Sequence, residues 1–236
     1  MKIAICIDYD NLSKLQKTAG ITSIIFNALL KSPDITSSDF GTCEVRLYGG
    51  WFEGETLSNL SQDISASIQK DFPQLIKIPS DRGTSKFNVN VELAYSLLEE
   101  PSHQLFNTYR RKGKPNNLRV EKQVNIGCAV PTCPLPMARK LLEKGVCPSD
   151  GCDNKSKNIV YRHEQKLVDT MLTCDLIYLA NRLYDYLMII SADDDFLPPI
   201  RTLLLRGLKV IRVHPRMSID HTPVMVGGKK LIEIGL

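Results

Sequence analysis

Three stretches of the chain place carboxylates where an apolar run ends or a helix begins. IAICIDYDNL carries Asp8, Asp10 and Asn11; EQKLVDTMLTCDL carries Asp169 and Asp175; MIISADDDFLPPI carries Asp193, Asp194 and Asp195. Carboxylates crowded together repel, and each raises its neighbours' pKa unless a cation lies between them. Hard oxygen ligands with water-filled positions suit Mg²⁺ or Mn²⁺. Such a site acidifies a bound water and offsets charge on a phosphodiester, so metal-dependent phosphodiester hydrolysis is the natural reaction class. Each motif alone has a plainer reading. Asp and Asn after a strand are common caps and turn formers, and acids in a first helical turn suit the helix dipole. Asp175 follows Asp169 by six residues, roughly 120° around a helix, so it is expected in a supporting place.

A second constellation is Cys128, Cys133, Cys147 and Cys152: two pairs, four residues between the members of each and thirteen between the pairs. Two thiolate pairs on turns are able to close a tetrahedral Zn²⁺ site, and Gly127, Pro131, Pro134, Pro148 and Gly151 supply turn formers. A structural zinc module over 127–157 is expected. The competing reading is four unrelated thiols on a loop; it sits poorly with the preference of reduced cysteine for burial, since these lie among Pro, Ser, Asp, Lys and Asn.

The elements that must carry these residues read as an alternation. Lys2–Asp8, Glu44–Gly49, Leu75–Pro79, Tyr186–Ser191 and Lys209–Val213 are apolar at successive positions, as in strands covered on both faces. Ile21–Lys31, Leu57–Lys70, Gln165–Arg182 and Pro198–Arg206 have helical spacing. Strand and helix in turn predict a doubly wound α/β sheet, whose strands open their carboxyl ends on one edge. The middle departs from the pattern: Asn88–Glu100 is expected as a helix and Asn107–Asn117 as an exposed loop.

In 236 residues the apolar share is 43% and the formal charge +4, ordinary for a globular chain and too apolar for a disordered one. The apolar runs are strand-sized, so no membrane span is expected. Met1–Ile7 leads straight into a strand-like run, so no signal peptide is expected. Seven cysteines in a chain expected to be cytoplasmic argue against a disulfide framework. Arg110, Arg111, Lys112, Lys114, Arg119 and Lys122 fall within thirteen residues. Arg110, Arg111, Lys112, Lys114 and Lys122 are candidates for tracking a phosphate backbone, with a solvated, solubilising loop as the alternative.

The ordered acid motifs resemble the NYN domain of the PIN-like nuclease superfamily, in particular its LabA-like group. In that group the first strand ends in an aspartate with an asparagine three residues on, as Asp8 and Asn11 do. RLYGGW (Arg46–Trp51) resembles its second strand. Lys166, Val168, Asp169 and Asp175 match its helix pattern, and SADDDF matches its acidic turn at Asp193 and Asp195. Two departures are Ala192, where the group usually has Gly, and Leu167, where it has a small residue. The resemblance covers about residues 1–79 and 158–213. It implies a mostly parallel, Rossmann-like α/β sheet flanked by helices, over residues 1–126 and 158–236, interrupted by the cysteine module. It further implies Asp8, Asp169 and Asp193 as Mg²⁺ or Mn²⁺ ligands, with Asp195, Asp175 and Asn11 in support, and RNA favoured over DNA as the nucleic-acid partner. A non-catalytic nucleic-acid-binding adaptor and a phosphotransfer domain are the alternatives, and a homo-oligomer is compatible with each.

Overall fold

A computed structural model describes residues 1–80, 83–113, 118–215 and 224–236. The chain opens with β1 (Lys2–Asp8), α1 (Lys14–Ala19), α2 (Ile21–Leu30) and α3 (Pro33–Thr36), then β2 (Phe40–Tyr48). Two short strands, β3 (Phe52–Glu53) and β4 (Thr56–Leu57), precede α4 (Asn59–Asp71), β5 (Gln74–Ser80) and β6 (Gly83–Leu93). Next come β7 (Tyr109–Gly113), α5 (Leu135–Lys144), α6 (Ser156–Ile159) and β8 (Tyr161–Gln165). The chain closes with α7 (Val168–Leu179), β9 (Tyr186–Ile190), α8 (Leu197–Leu205), β10 (Val210–His214), β11 (Val224–Val226) and β12 (Lys229–Gly235).

These elements divide into two units, residues 1–108 with 165–236, and residues 109–164. The first holds an eight-stranded sheet in the order β11-β12-β10-β9-β1-β2-β6-β5. β1 is parallel to both neighbours, with Ile7 opposite Leu47 on β2 and Ile190 on β9. The sheet is mostly parallel; β5 runs antiparallel to β6, and β11 to β12. β1 is buried on both faces because its alternate residues serve two cores. Ile3, Ile5 and Ile7 join Ile24, Ile25 and Leu29 of α2, while Ala4 and Cys6 join Leu172 and Leu176 of α7 and Leu203 of α8. Each such side chain, fully buried, contributes about 1.5–3 kcal/mol. The alternation of the sequence therefore does place the ends of β1 and β9 side by side, where the strand order reverses direction around β1.

Two expectations fail. Residues 88–100 are not a helix: β6 runs through Leu93. Ser85, Phe87, Val89 and Leu93 are buried while Lys86, Asn88, Asn90 and Glu92 are exposed, a period of two that only a half-covered strand satisfies. Of the expected loop 107–117, Tyr109–Gly113 is a strand, β7, neighbouring β8 within the second unit, and 114–117 lie outside the described residues. The C-terminal segment, which carries no motif, adds β12 alongside β10, burying Leu231, Ile232 and Ile234. No helix among the described residues is long and apolar enough to cross a membrane.

Candidate functional site

Asp8 is the last residue of β1 and is almost completely buried. One carboxylate oxygen, Oδ2, accepts from Asn11 Nδ2 and from Ser191 Oγ, the latter at 2.9 Å. Ser191 follows β9, and its Oγ in turn accepts from Asp193 N at 3.1 Å. A single hydroxyl thus ties the end of β1 to the acidic turn beyond β9. Asp193 caps that turn, its Oδ1 accepting from Asp195 N at 2.9 Å, so the plainer reading of an acid after a strand is realised here in part. Asp10 lies in the 3₁₀ turn Tyr9–Asn11, accepting from Gly50 N at 3.3 Å, with Lys17 Nζ 3.9 Å away. Asp169 lies in the first turn of α7.

These acids feel one another. Burial foremost raises the Asp8 carboxyl above its ordinary value; hydrogen bonds from Asn11 and Ser191 oppose the shift, and the charges of Asp169 and Asp10 add to it. Asp169 is raised by partial burial and then by Asp193, Asp195 and Asp10. Asp10 is raised by burial, against Lys17, Gly50 N–H and Gln165. Five carboxylates from three separate stretches of chain therefore share one neighbourhood, with Lys17 the cation beside Asp10.

Oxygen donors under mutual repulsion fit a hard divalent cation by chemistry. They are not closed around a common point: among the described residues no three His, Cys, Asp or Glu side chains are grouped to hold a metal. A wide acidic cluster remains suited to Mg²⁺, which keeps several of its own waters and takes only one or two carboxylates directly.

Asp175 does not join the cluster. It is 1% exposed, and its carboxylate accepts from Leu98 N and Tyr48 OH, both at 2.8 Å, beside Arg46 Nη1 at 3.1 Å. The six-residue step from Asp169 carries it to the sheet-facing side of α7, where it is spent on packing polar groups. Leu167 precedes α7 with φ 68°, a left-handed conformation that costs a residue with a Cβ about 1 kcal/mol or more, a cost that glycine alone would remove. Ala192 is not in that region, so a glycine is not needed in the acidic turn.

Sequence reasoning missed the groups that hold this turn. Arg212 on β10 is 3% exposed; its Nη2 donates to Asp193 O at 3.0 Å and to Asp194 Oδ1 at 2.8 Å. Its Nη1 lies 3.5 Å from Glu233, which also meets His214 Nε2 at 3.1 Å. The Arg212 guanidinium holds the Asp194 carboxyl below the usual range. The signal was present: one arginine inside the otherwise apolar VIRV must find partners, because a buried charge without them is prohibitive.

The second unit carries the cysteines and the basic residues. Val130 N–H and Gln123 polarise Cys128, which also shares a thiol hydrogen bond with Cys133; Ser149 polarises Cys147, which shares one with Cys152, and all four are free thiols. Both Cys128 and Cys147 are lowered below the ordinary thiol value, backbone N–H donation being the largest cause. The structure thus brings the cysteines together in two pairs, not as one group of four, and the tetrahedral zinc site is not seen among the described residues. Arg110 on β7 forms an ion pair with Glu164 at 2.8 Å, and Arg162 meets the same carboxylate at 3.1 Å. Lys122 is exposed; the side chains of Arg111 and Lys112, and all of Lys114, lie outside the described residues.

A mostly parallel sheet with acids at the carboxyl ends of its central strands defines a class of α/β domains that bind ligands at that edge. Within that class, the family model described as NYN domain matches residues 139–221. The match contains Asp169, Asp193 and Asp195 and leaves Asp8 and Asn11 outside it, and it supports the NYN/PIN-like superfamily, whose members are generally nucleases. No curated protein and no solved structure matches the chain.

Proposed function

We propose that the chain is a divalent-metal-dependent nuclease that hydrolyses phosphodiester bonds, with RNA as its preferred substrate and the cytoplasm as its setting. The observation that carries the reading is the convergence of Asp8, Asp10, Asp169, Asp193 and Asp195 from three distant stretches: the hydroxyl of Ser191 joins Asp8 to Asp193, and the charges of Asp10, Asp169, Asp193 and Asp195 raise the carboxyl of Asp8 or of Asp169. Asp8, Asp169 and Asp193 would hold Mg²⁺ or Mn²⁺. Asp195 and Asp10 add charge at its margin, and Asn11 and Ser191 fix the Asp8 carboxylate. A bound divalent cation supplies positive charge to the scissile phosphate and eases deprotonation of water, on the order of several kcal/mol. Asp175 acts beneath the site as a packing residue.

Basic residues of the second unit, Arg110, Arg111, Lys112, Lys114 and Lys122, would contact the phosphate backbone. Defined RNA and DNA oligonucleotides with Mg²⁺, Mn²⁺ or EDTA test the reading. RNA cleavage that EDTA abolishes is expected; tight binding without cleavage under any ion would make the chain an adaptor instead.

A structural Zn²⁺ on Cys128, Cys133, Cys147 and Cys152 would need the two thiol pairs to close on one ion. About one zinc per chain after purification without chelator is expected, and a metal-free yet fully folded protein would remove this assignment.

A further inference from the structure

On the face of the sheet that carries Asp8, a separate cavity of about 260 Å³ opens between β1, β2 and β6 and the end of α7. Strand register builds its floor from two rows of side chains. Ala4 lies opposite Glu44 and Glu44 opposite Asn90; Cys6 lies opposite Arg46 and Arg46 opposite Glu92. The rows are about 7 Å apart along the strands. Leu98 and Leu179 form apolar walls beside the Tyr184 ring. Such a space is slot-shaped in chemistry: apolar walls with a polar floor, slightly below the ~300 Å³ at which drug-sized ligand pockets begin.

Its polar groups are unevenly satisfied. Glu44 is engaged by Lys2 Nζ at 2.9 Å and by Tyr184 OH. Arg46 is 7% exposed and donates from Nη2 to Ser96 O at 2.6 Å. Glu92 lies 3.2 Å from its Nε and Asp175 3.1 Å from its Nη1, yet neither nitrogen has an aligned hydrogen bond. A buried guanidinium with two unaligned N–H groups is costly to leave so. The Glu92 side chain is 62% exposed and able to turn toward a ligand.

We propose that this cavity binds a guanine base. A carboxylate such as Glu92 accepts two parallel N–H bonds, and guanine's N1–H and N2–H₂ offer that pair beside a carbonyl acceptor, which the Arg46 or Asn90 donors meet. Adenine and cytosine set a ring acceptor against the carboxylate, and uracil offers one N–H. Leu98, Leu179 and Tyr184 provide the stacking walls that a planar base requires. Cys6, whose thiol burial pushes up to about 12, stays neutral beneath it. The base is either that of a free nucleotide or one residue of a nucleic-acid strand. Recognition here does not require that the chain cleave anything.

Calorimetric titration of the full chain in EDTA with guanosine and adenosine monophosphates tests the assignment, free of any turnover. Guanosine monophosphate is expected to bind about ten-fold or more tighter. Glu92→Gln should erase that preference, and Asn90→Trp, at an exposed rim position, should abolish binding with an unchanged circular-dichroism spectrum. Short oligonucleotides of G or A form the second arm: selective binding of G-containing strands identifies a strand residue, and binding of the mononucleotide alone identifies a free nucleotide. No binding, equal binding of both bases, or guanosine binding untouched by Asn90→Trp overturns the proposal.

Discussion

Asp8→Asn and Asp193→Asn are each expected to lower divalent-dependent cleavage by about 10³-fold, as loss of several kcal/mol of transition-state stabilisation requires. The metal-free protein should lose no stability in either case. For Asp8 the reason lies in the sign of its shift. Its folded pKa is raised above the unfolded value, chiefly by burial, so folding favours the protonated form. The penalty is absent below the unfolded pKa of about 4, appears as pH rises through the window up to the raised folded value, and is fully present above it. At neutral pH the wild-type carboxylate is therefore a liability, which the proposed cation would remove. The substituted asparagine has no charge to desolvate, and its carbonyl oxygen is able to accept from Ser191. Thermal melts should show wild type gaining midpoint with Mg²⁺ at pH 7, a smaller gain near pH 4, and no gain for Asp8→Asn. Cleavage at the wild-type rate by both variants, or a metal-free midpoint several degrees lower in Asp8→Asn, would sink the assignment.

An acid whose burial costs stability is also one that a sequence makes conspicuous. Asp8 stands out at the end of the apolar run Ile3–Ile7, although its bonds from Asn11 and Ser191 also give it a structural part in joining β1 to the acidic turn. The strands themselves were legible because residues covered on both faces must all be apolar, a requirement that β1 and β9 meet without interruption. The middle of the chain was not. Val89, Val91, Leu93, Leu97 and Leu98 satisfy a helical template loosely, but Lys86, Asn88, Asn90 and Glu92 fall between the buried positions of β6 and settle the matter for a strand. Window choice, rather than missing information, hid it. Arg212 and Ser191 escaped for a different reason: their role is set by which strands become neighbours, β9 beside β10 and β9 beside β1, and local sequence does not fix neighbours.

Asp175→Ala is expected to destabilise the fold by about 3–5 kcal/mol, the cost typical of breaking a buried ion pair from one side. Its carboxylate meets Tyr48 OH, Leu98 N and Arg46 together, so removal leaves a phenol and an amide without their acceptor and takes from the Arg46 guanidinium its buried counter-charge. Burial raises the Asp175 pKa, against hydrogen bonds from Leu98 and Tyr48 and the charge of Arg46. The ion pair is thus no strong net stabiliser; the danger lies in leaving Arg46 behind. The double change Arg46→Met with Asp175→Leu should accordingly cost less than Asp175→Ala alone, since both buried charges go at once. Urea unfolding of the single and double variants measures this, and a cost below about 1 kcal/mol for the single variant would refute the network. The same position separates packing from catalysis. Asp175→Asn keeps one acceptor oxygen, for Leu98 N, and sets an amide N–H against Tyr48 OH, whose oxygen is able to accept it, so it should retain cleavage close to wild type at low temperature where Asp8→Asn is about 10³-fold slower. If Asp175→Asn instead remains fully folded yet inactive, the carboxylate acts on substrate or cation, and its place with Arg46 is not its only work.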